Sequence, residues 1–224
     1  MHLSRWIILV AGLLVAGSVT AEVTLTAGMK AGVNFSNTVG SDAGDSQSLT
    51  GMAGGGIVAI NLSPRFAIQT EILYTQKGSQ FDGTLILPFN GDTLTYRGTF
   101  TERLPYVELP VLAKFNFVNE SDIVPSLYAG PSFAFRASPS FKFEGTVTDT
   151  AGTVFAEEFE NNIADEIKSF DVNLVVGGTV GIESGDGLVF VDVRYTRGLS
   201  SYDDTPAALD LKNSVISVML GLLF

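Results

Sequence analysis

The sequence predicts an all-β fold, an eight-stranded antiparallel up-and-down transmembrane β-barrel, and three observations lead to this prediction. Eight stretches alternate apolar with polar or small residues in period two, as strands with one apolar face do. Hydrophobic residues make up 46% of the 224 residues, and charged residues only 17%. Beyond the first twenty residues, no apolar run reaches the length of about 18 residues that a membrane-spanning helix needs.

Residues 1–21 have the pattern of a secretory signal peptide. Arg5 supplies a positive charge, residues 6–16 form an apolar core, and the small residues that end at Ala21 form a cleavage site. The core is too short for a membrane anchor. The sequence therefore predicts export through a cleaved signal peptide, followed by a barrel domain over residues 22–224.

Eight strands are expected, over residues 23–36, 49–62, 66–78, 104–117, 125–137, 169–183, 188–198 and 213–224. In the first strand, apolar side chains from Leu25 to Phe35 alternate with polar or small ones. The second strand is rich in glycine, which relieves crowding inside a small barrel. The third strand begins at Phe66 and alternates again.

The fourth to seventh strands carry additional signals. Pro110 and Pro131 fall inside the fourth and fifth strands. Because proline donates no ladder hydrogen bond, we expect both at bulges or weakly paired positions. The sixth and seventh strands are joined by Ser-Gly-Asp-Gly at residues 184–187, a strong hairpin signal.

The last predicted strand ends on an aromatic residue at the end of the sequence. Its apolar face consists of Ile216, Val218, Leu220, Leu222 and Phe224. A final strand that ends in phenylalanine resembles the signal that the barrel-assembly machinery of the outer membrane reads. The simpler alternative is a last hydrophobic strand without such a role.

The connections between the predicted strands alternate between long and short. Three of the long ones cover residues 79–103, 138–168 and 199–212, and the second of these is acidic. In an up-and-down meander all long connections lie at one end. Bacterial outer-membrane barrels have this asymmetry, with short periplasmic turns and longer external loops. The sequence therefore predicts a location in the bacterial outer membrane.

Aromatic residues favour a lipid-facing apolar surface over a soluble barrel with an apolar interior. They concentrate near the two ends of the predicted strands, as in the aromatic girdles of membrane barrels. The predicted interfacial aromatics are Phe66, Tyr74, Tyr106, Phe115, Phe117, Phe135, Phe170, Tyr195 and Phe224. Strict alternation places Tyr106 on the opposite face from the others.

Charged residues on the other face are expected to fill the lumen. The predicted lumen charge network comprises Glu71, Glu108, Lys114, Arg136, Asp171, Asp192 and Arg194. The interior of an eight-stranded barrel is about wide enough for its own side chains, so these charges should pair and plug it. A narrow ion path is the alternative.

Catalysis by the common side chains has little support. The chain has no cysteine, and its only histidine, His2, lies in the export segment. Glu71 and Glu108 could form an acid–base pair, but pairing with Lys114 or Arg194 is what buried carboxylates require. The net charge of −11 argues against nucleic acid. We expect no cofactor and no metal, because the loop acids lack the spacing of a calcium loop.

Five segments together resemble the PorT-type outer-membrane β-barrel family, which is common in Bacteroidetes-like bacteria. They are GMKAGVNFS (28–36), EILYTQKG (71–78), YVELPVLAK (106–114), YAGP (128–131) and DVRYTRGL (192–199). The resemblance implies an eight-stranded barrel. Some relatives are similar to a component needed for protein secretion and gliding, but most have no assigned role.

The function expected from these observations is that of a non-enzymatic outer-membrane barrel with a plugged lumen. It would serve as a structural, secretion-associated or surface-interaction component. Its expected partners are outer-membrane lipid, lipopolysaccharide, the barrel-assembly machinery and, for the secretion role, subunits of a secretion complex. A small passive channel and a carboxylate-based outer-membrane enzyme are the alternatives.

Overall fold

A computed structural model describes residues 23–89, 92–118, 121–185 and 187–224. The predicted signal peptide, residues 1–21, lies outside the described residues. In the described ranges, ten strands and one 3-10 helix, Ala164–Glu166, follow one another. No helix in these ranges is both long and apolar enough to span a membrane.

Eight of the ten strands close into a ring. The strands are β1 Thr24–Val39, β2 Gln47–Asn61, β3 Phe66–Phe89, β4 Asp92–Asn116, β5 Ile123–Arg136, β6 Ser140–Thr148, β7 Val154–Asn162, β8 Phe170–Ser184, β9 Gly187–Gly198 and β10 Lys212–Leu223. The ring order is β1-β2-β3-β4-β5-β8-β9-β10, and the antiparallel pairing of β1 with β10 closes it. The predicted eight-stranded antiparallel barrel is confirmed.

Two of the long connections contain β-structure that the sequence analysis did not predict. Residues 79–103 extend β3 and β4 into one long hairpin, which remains paired up to Phe89 and Asp92. Residues 138–168 contain β6 and β7, and β6 pairs with the outer part of β4. These two connections are long, as predicted, but they also contain strands that were not predicted. Their strands were missed because the apolar residues move to the opposite face of the strand.

This change of face follows the change of solvent along β3 and β4. Along β4, Glu108 is buried in the lumen, while Leu109 points outward and is 38% exposed. Farther along the same strand, Phe100 is buried on the inner side and Arg97 is exposed on the outer side. An apolar outer surface suits hydrocarbon, and a polar outer surface suits water. The strands therefore leave the apolar belt between Val107 and Arg103. We call the segment beyond, β3-β4-β6-β7, the extracellular sheet, because the long connections of outer-membrane barrels lie on the outer side.

The two prolines inside strands lie where ladders are interrupted. The β3–β4 pairing breaks between Val111 and Glu108, and Pro110 falls in that gap. The β4–β5 pairing breaks in the same way next to Pro131. Each proline therefore lies in a gap of one of its two ladders, a weakly paired position as predicted, and stays in register with the strand on its other side.

Leu220 and Ile86 allow the membrane assignment to be tested. Both side chains point outward and are similarly exposed, at 61% and 63%, but only Leu220 lies in the apolar belt. We expect Leu220→Lys to reduce the free energy of unfolding in lipid vesicles by about 2–4 kcal/mol, the cost of a lysine facing hydrocarbon. Ile86→Lys should leave it nearly unchanged. Urea titrations followed by circular dichroism measure both, and equal losses would contradict the assignment.

Candidate functional site

The lumen of the barrel carries balanced charge. Among the described residues, eight charged side chains are buried in it: Lys30, Lys77, Lys114, Arg194, Glu71, Glu108, Asp171 and Asp192. Four are cations and four are carboxylates, so their formal charges cancel. Buried charges are tolerated when they are paired and hydrogen-bonded.

Five of the lumen side chains form a central cluster, defined as Lys30, Glu71, Asp192, Arg194 and Tyr128. Lys30 Nζ lies 2.7 Å from Glu71 Oε1 and 3.0 Å from Asp192 Oδ2. The Arg194 guanidinium donates to both Glu71 oxygens, at 2.9 and 3.1 Å, and binds Asp192 at 3.1 Å. Tyr128 donates its hydroxyl to Asp192 Oδ1 at 2.7 Å. Each carboxylate therefore contacts two cations.

The central cluster spans the full width of the barrel. Lys30 is on β1 and Tyr128 on β5, and these strands are four positions apart in either direction around the ring. Asp192 on β9 bridges them, since it accepts from both Lys30 and Tyr128. The Arg194 guanidinium also lies over the Tyr128 ring, 5.3 Å from its centroid. At this level side chains occupy the lumen from wall to wall.

A second ion pair lies nearer the extracellular end. Lys77 forms a salt bridge with Glu108, and its Nζ lies 3.4 Å from Asn173 Oδ1. The same ammonium group lies 5.1 Å from the centroid of the Tyr106 ring. Glu108 also accepts from Ser132 Oγ at 3.4 Å. The central cluster and the Lys77–Glu108 pair form two ion-paired layers in the lumen. Lys30 and Lys77 belong to these layers but were not predicted as members of the lumen charge network.

The remaining predicted lumen charges have polar partners but no salt bridge in the described structure. Lys114 Nζ contacts Gln69 Oε1 at 3.4 Å. Asp171 accepts from Ser200 at 2.8 Å and from Asn213 at 3.4 Å. Of the two cations predicted to pair with the lumen carboxylates, Arg194 does so, whereas Lys114 forms no salt bridge with a described residue, and Lys30 and Lys77 supply the other cations.

Arg136 does not join the network either. The alternation of side chains along β5 predicts that Arg136 points inward, but Arg136 is the last residue of the strand and lies at the extracellular rim. There its guanidinium donates to the carbonyl of Ala164 in the 3-10 helix. Its position along the strand, which alternation does not report, separates it from the other charges.

Eight of the nine predicted interfacial aromatics lie on the outer wall. Phe115 contacts Phe66 and Phe117 edge-on near the short connections, with ring centroids 5.0 Å apart in both pairs. Phe135 and Phe170 form a tilted ring contact at 5.3 Å at the other end. The remaining three, Tyr74, Tyr195 and Phe224, are exposed.

Tyr106 is the exception, and its assignment to the interface is wrong. It is fully buried inside the barrel, where it packs with Leu104 and Tyr202. Strict alternation along β4 places it on the lumen side. The side chains of the predicted C-terminal signal, from Ile216 to Phe224, are all exposed on the outer face, and their role in assembly stays a prediction.

The extracellular mouth is closed by the β9–β10 connection, which we call the cap, residues 199–211. Tyr202 is 1% exposed, and its hydroxyl donates to Glu102 at 2.8 Å and lies 2.9 Å from Thr38 Oγ1. Backbone bonds from Lys168 to Tyr202 and from Asp204 to Glu166 hold the cap against the segment before β8. The cap therefore forms a third layer above the two ion-paired ones.

Glu102 beneath the cap lies beyond the membrane-spanning part of β4. Burial raises the pKa of its carboxyl above the ordinary value of 4.5, and the hydrogen bond from Tyr202 opposes this. The nearby carboxylates of Asp203 and Glu166 raise the pKa further. A raised carboxyl pKa means that the folded protein favours the protonated form.

The periplasmic end of the lumen is an open vestibule of about 380 Å³. Polar side chains line it, among them Asn61, Lys114, Asn116 and Ser126. Lys114 contacts Gln69, which donates to Glu71 at 2.5 Å, so the inner end of the vestibule adjoins the central cluster. The vestibule is therefore a pocket at one end and is separated from the extracellular side by the layers above it.

Residues 19–204 match the family described as an outer membrane protein beta-barrel domain, which is more than half of the chain. The chain belongs to this outer membrane barrel family. Such a barrel resides in the bacterial outer membrane, in agreement with the apolar outer wall. Among curated proteins, no sequence matches the chain.

Several solved outer membrane proteins resemble this outer membrane barrel at low sequence identity. Neisserial surface protein A (NspA) is 12% identical, with a TM-score of 0.47 and coverage of 89% of this chain and 97% of that one. Ail of Yersinia pestis, solved with the heparin analogue sucrose octasulfate, is 11% identical, with a TM-score of 0.42 and coverage of 89% and 99%. OprG from Pseudomonas aeruginosa is 10% identical, with a TM-score of 0.42 and coverage of 92% and 98%. At these scores the likenesses carry no conclusion about function.

Lys30 and Lys114 form a matched pair for testing the central cluster of this outer membrane barrel. Both are buried lumen lysines, but of the two only Lys30 forms salt bridges with described residues. We expect Lys30→Met to reduce the free energy of unfolding by about 3–5 kcal/mol, because it leaves buried carboxylates with fewer partners. Lys114→Met should cost less than about 1 kcal/mol, since an apolar isostere replaces a charge without an ion partner. Urea unfolding in micelles, followed by circular dichroism, tests this, and a larger loss for Lys114→Met would contradict it.

The raised pKa of Glu102 predicts a pH-dependent cap. The pKa of the Glu102 carboxyl is higher in the folded chain than in the unfolded chain. The stabilisation that Glu102 contributes is therefore fully present below pH 4.5 and is lost as the pH rises through the pKa of the folded state. Hydrogen exchange of residues 199–211 should therefore quicken as the pH rises above 4.5, beyond its intrinsic pH dependence. Glu102→Gln should remove this excess, while the control Asp45→Asn should retain it. A wild type without any excess would refute the prediction.

Proposed function

We propose that the chain is a non-enzymatic, non-conducting barrel, in which the membrane part is a rigid anchor and the extracellular sheet meets other molecules. The observation that carries this proposal is the central cluster, in which Lys30, Asp192 and Tyr128 connect opposite walls of the lumen. A solute that crosses the barrel has to separate these groups.

Opening the lumen is energetically unfavourable. The Lys30–Glu71 and Arg194–Glu71 contacts are salt bridges between side chains that are at most 3% exposed. Breaking a buried pair costs about 3–5 kcal/mol, because each charge is left without compensation. The Lys77–Glu108 pair and the cap add further layers along the same path. These features support a closed barrel over the narrow channel.

The contacts of the lumen carboxylates also argue against the carboxylate-based enzyme. Glu71 accepts from Lys30, Arg194 and Gln69, so both of its oxygens are engaged. Glu108 is paired with Lys77 and is buried. A general acid or base must reach its substrate, and neither group has an open side. The domain predicted over residues 22–224 also offers no histidine or cysteine.

The extracellular sheet supports a surface-interaction role. It contains an apolar cluster of its own, in which Phe100, Phe143 and Val147 are almost fully buried. Connections that only join strands are usually short and have no core. A connection that folds into a packed sheet presents a fixed surface to the medium, which is what binding segments on rigid scaffolds do.

A secretion-associated role is the second candidate, and the five PorT-like segments favour it. In that role the chain would bind subunits of a secretion complex. Affinity purification of a tagged chain from outer membranes would recover those subunits. Outer-membrane lipid, lipopolysaccharide and the barrel-assembly machinery are partners that we propose under either role.

Planar-bilayer recording tests the closed barrel. The folded wild-type protein should give no steady single-channel current, because the central cluster fills the lumen. The triple variant Lys30→Ala, Lys77→Ala, Arg194→Ala removes the cations of both ion-paired layers and should give cation-selective openings next to the remaining carboxylates, because only the cap then closes the path. Circular dichroism and gel mobility confirm that both proteins are folded. Steady currents from the wild type would overturn the proposal in favour of the passive channel.

A further inference from the structure

The outermost strand of the extracellular sheet has a free edge. In the strand order β3-β4-β6-β7, β7 is last, and in the described residues it pairs only with β6. That pairing runs without a register shift from Val154 to Asn162. The backbone groups on the other side of β7 have no strand partner there, and most of its side chains are exposed.

This edge lacks most of the features that usually prevent strand addition. Exposed edges are commonly protected by proline, lysine, bulges or very short length. β7 has nine residues, no proline, no lysine and a regular ladder with β6. Acidic side chains are the only protective feature present. They discourage some partners and attract others, so the charge of β7 indicates which strand can bind.

The charge of β7 is negative and poorly compensated. The strand carries Glu157, Glu158 and Glu160. The cation next to them on β6 is Lys142, which lies 2.8 Å from Glu158 and 3.2 Å from Glu144. An incoming strand with basic side chains would place opposite charges next to these carboxylates, and such cross-strand pairs are favourable.

The two faces of β7 differ, which gives the incoming strand a pattern. Phe155 and Phe159 lie on the side of the aromatic cluster, and Phe159 packs against Phe143 with ring centroids 5.5 Å apart. Glu157 lies between these two phenylalanines on the same side, whereas Glu158 and Glu160 lie on the opposite side. Because side chains alternate between faces in period two, the matching strand alternates apolar and basic residues.

We propose that the free edge of β7 binds an extended peptide segment with alternating basic and apolar residues, as an added strand. Main-chain hydrogen bonds would supply the affinity, and the carboxylates and the aromatic side would supply the specificity. This inference rests on the proposed surface-interaction role and names its partner by chemistry.

A second copy of the chain is a poorer occupant. Pairing two β7 edges would bring two sets of three glutamates together, and like charges across a ladder are destabilising. The opposite edge of the sheet, the outer part of β3, carries Asp82 and ends near Pro88, so it offers no basic residue to β7. A basic segment of another molecule therefore fits best.

The test uses the full chain folded in lipid vesicles and a labelled nine-residue peptide of alternating lysine and valine. Fluorescence anisotropy should show saturable binding to the wild type. Glu158→Lys with Glu160→Lys should weaken binding by about tenfold, since two attractive pairs become repulsive. A peptide with every backbone nitrogen methylated keeps its charge but cannot form the ladder, and it should not bind.

Asp45→Lys with Asp204→Lys is the matched control, because it changes the extracellular charge by the same amount away from β7. It should alter the affinity by less than about twofold. Equal weakening by both double variants, binding of the methylated peptide, or a wild-type dimer that covers β7 would each overturn the inference. Absence of peptide binding by a barrel that gives no current refutes this inference alone. A conducting barrel that binds the peptide refutes only the closed lumen.

Discussion

The structure depends on the requirement that every backbone polar group in hydrocarbon finds a partner within the protein. Pairing β1 with β10 meets this requirement by closing the ring. Closure with eight strands fixes a narrow bore, and the narrow bore brings inward-facing charges within contact distance of one another. The salt bridges of Lys30 and Arg194 with Glu71 and Asp192 are thus a consequence of strand number as much as of side-chain chemistry.

Strands β3 and β4 pass through two environments, the hydrocarbon of the membrane and the water outside it. Inside the membrane the outer face is apolar and the inner face polar, and outside it the two faces exchange character, as Glu108 and Phe100 show. The exchange occurs without a break in the β3–β4 ladder around Lys77 and Leu104. Gly78, at a φ of 136°, lies at this level, where a Cβ atom would collide with the Glu102 carbonyl oxygen. Beyond this level apolar side chains such as Phe100 face inward, so hydrophobic burial organises the extracellular sheet as it does in a soluble protein.

The sequence predicts which face of each barrel strand a residue occupies but not which residues meet across the lumen. Alternation places Glu71, Asp192 and Arg194 inward, and the structure brings them together. Alternation also places Lys30 and Lys77 inward, and both were nevertheless omitted from the predicted network. Contacts between strands that are not neighbours depend on the stagger of the whole ring, so alternation alone did not predict the individual ion pairs or the position of Arg136 at the rim. The extracellular strands were missed for a different reason, because a search for one continuous apolar face stops where that face changes sides.

Continuity between the anchor and the sheet affects how well the sheet can bind. The β3–β4 ladder extends from Phe66 and Phe115 near the periplasmic end to Phe89 and Asp92 at the far tip, and β6 and β7 are added to its side. A plugged barrel that resists deformation holds this ladder in one orientation. Binding to an ordered edge requires less loss of conformational entropy than binding to a flexible loop. In the proposed surface role, a lumen that does not conduct would still serve the surface, because the ion pairs inside the barrel would also hold in place the strands that project from it.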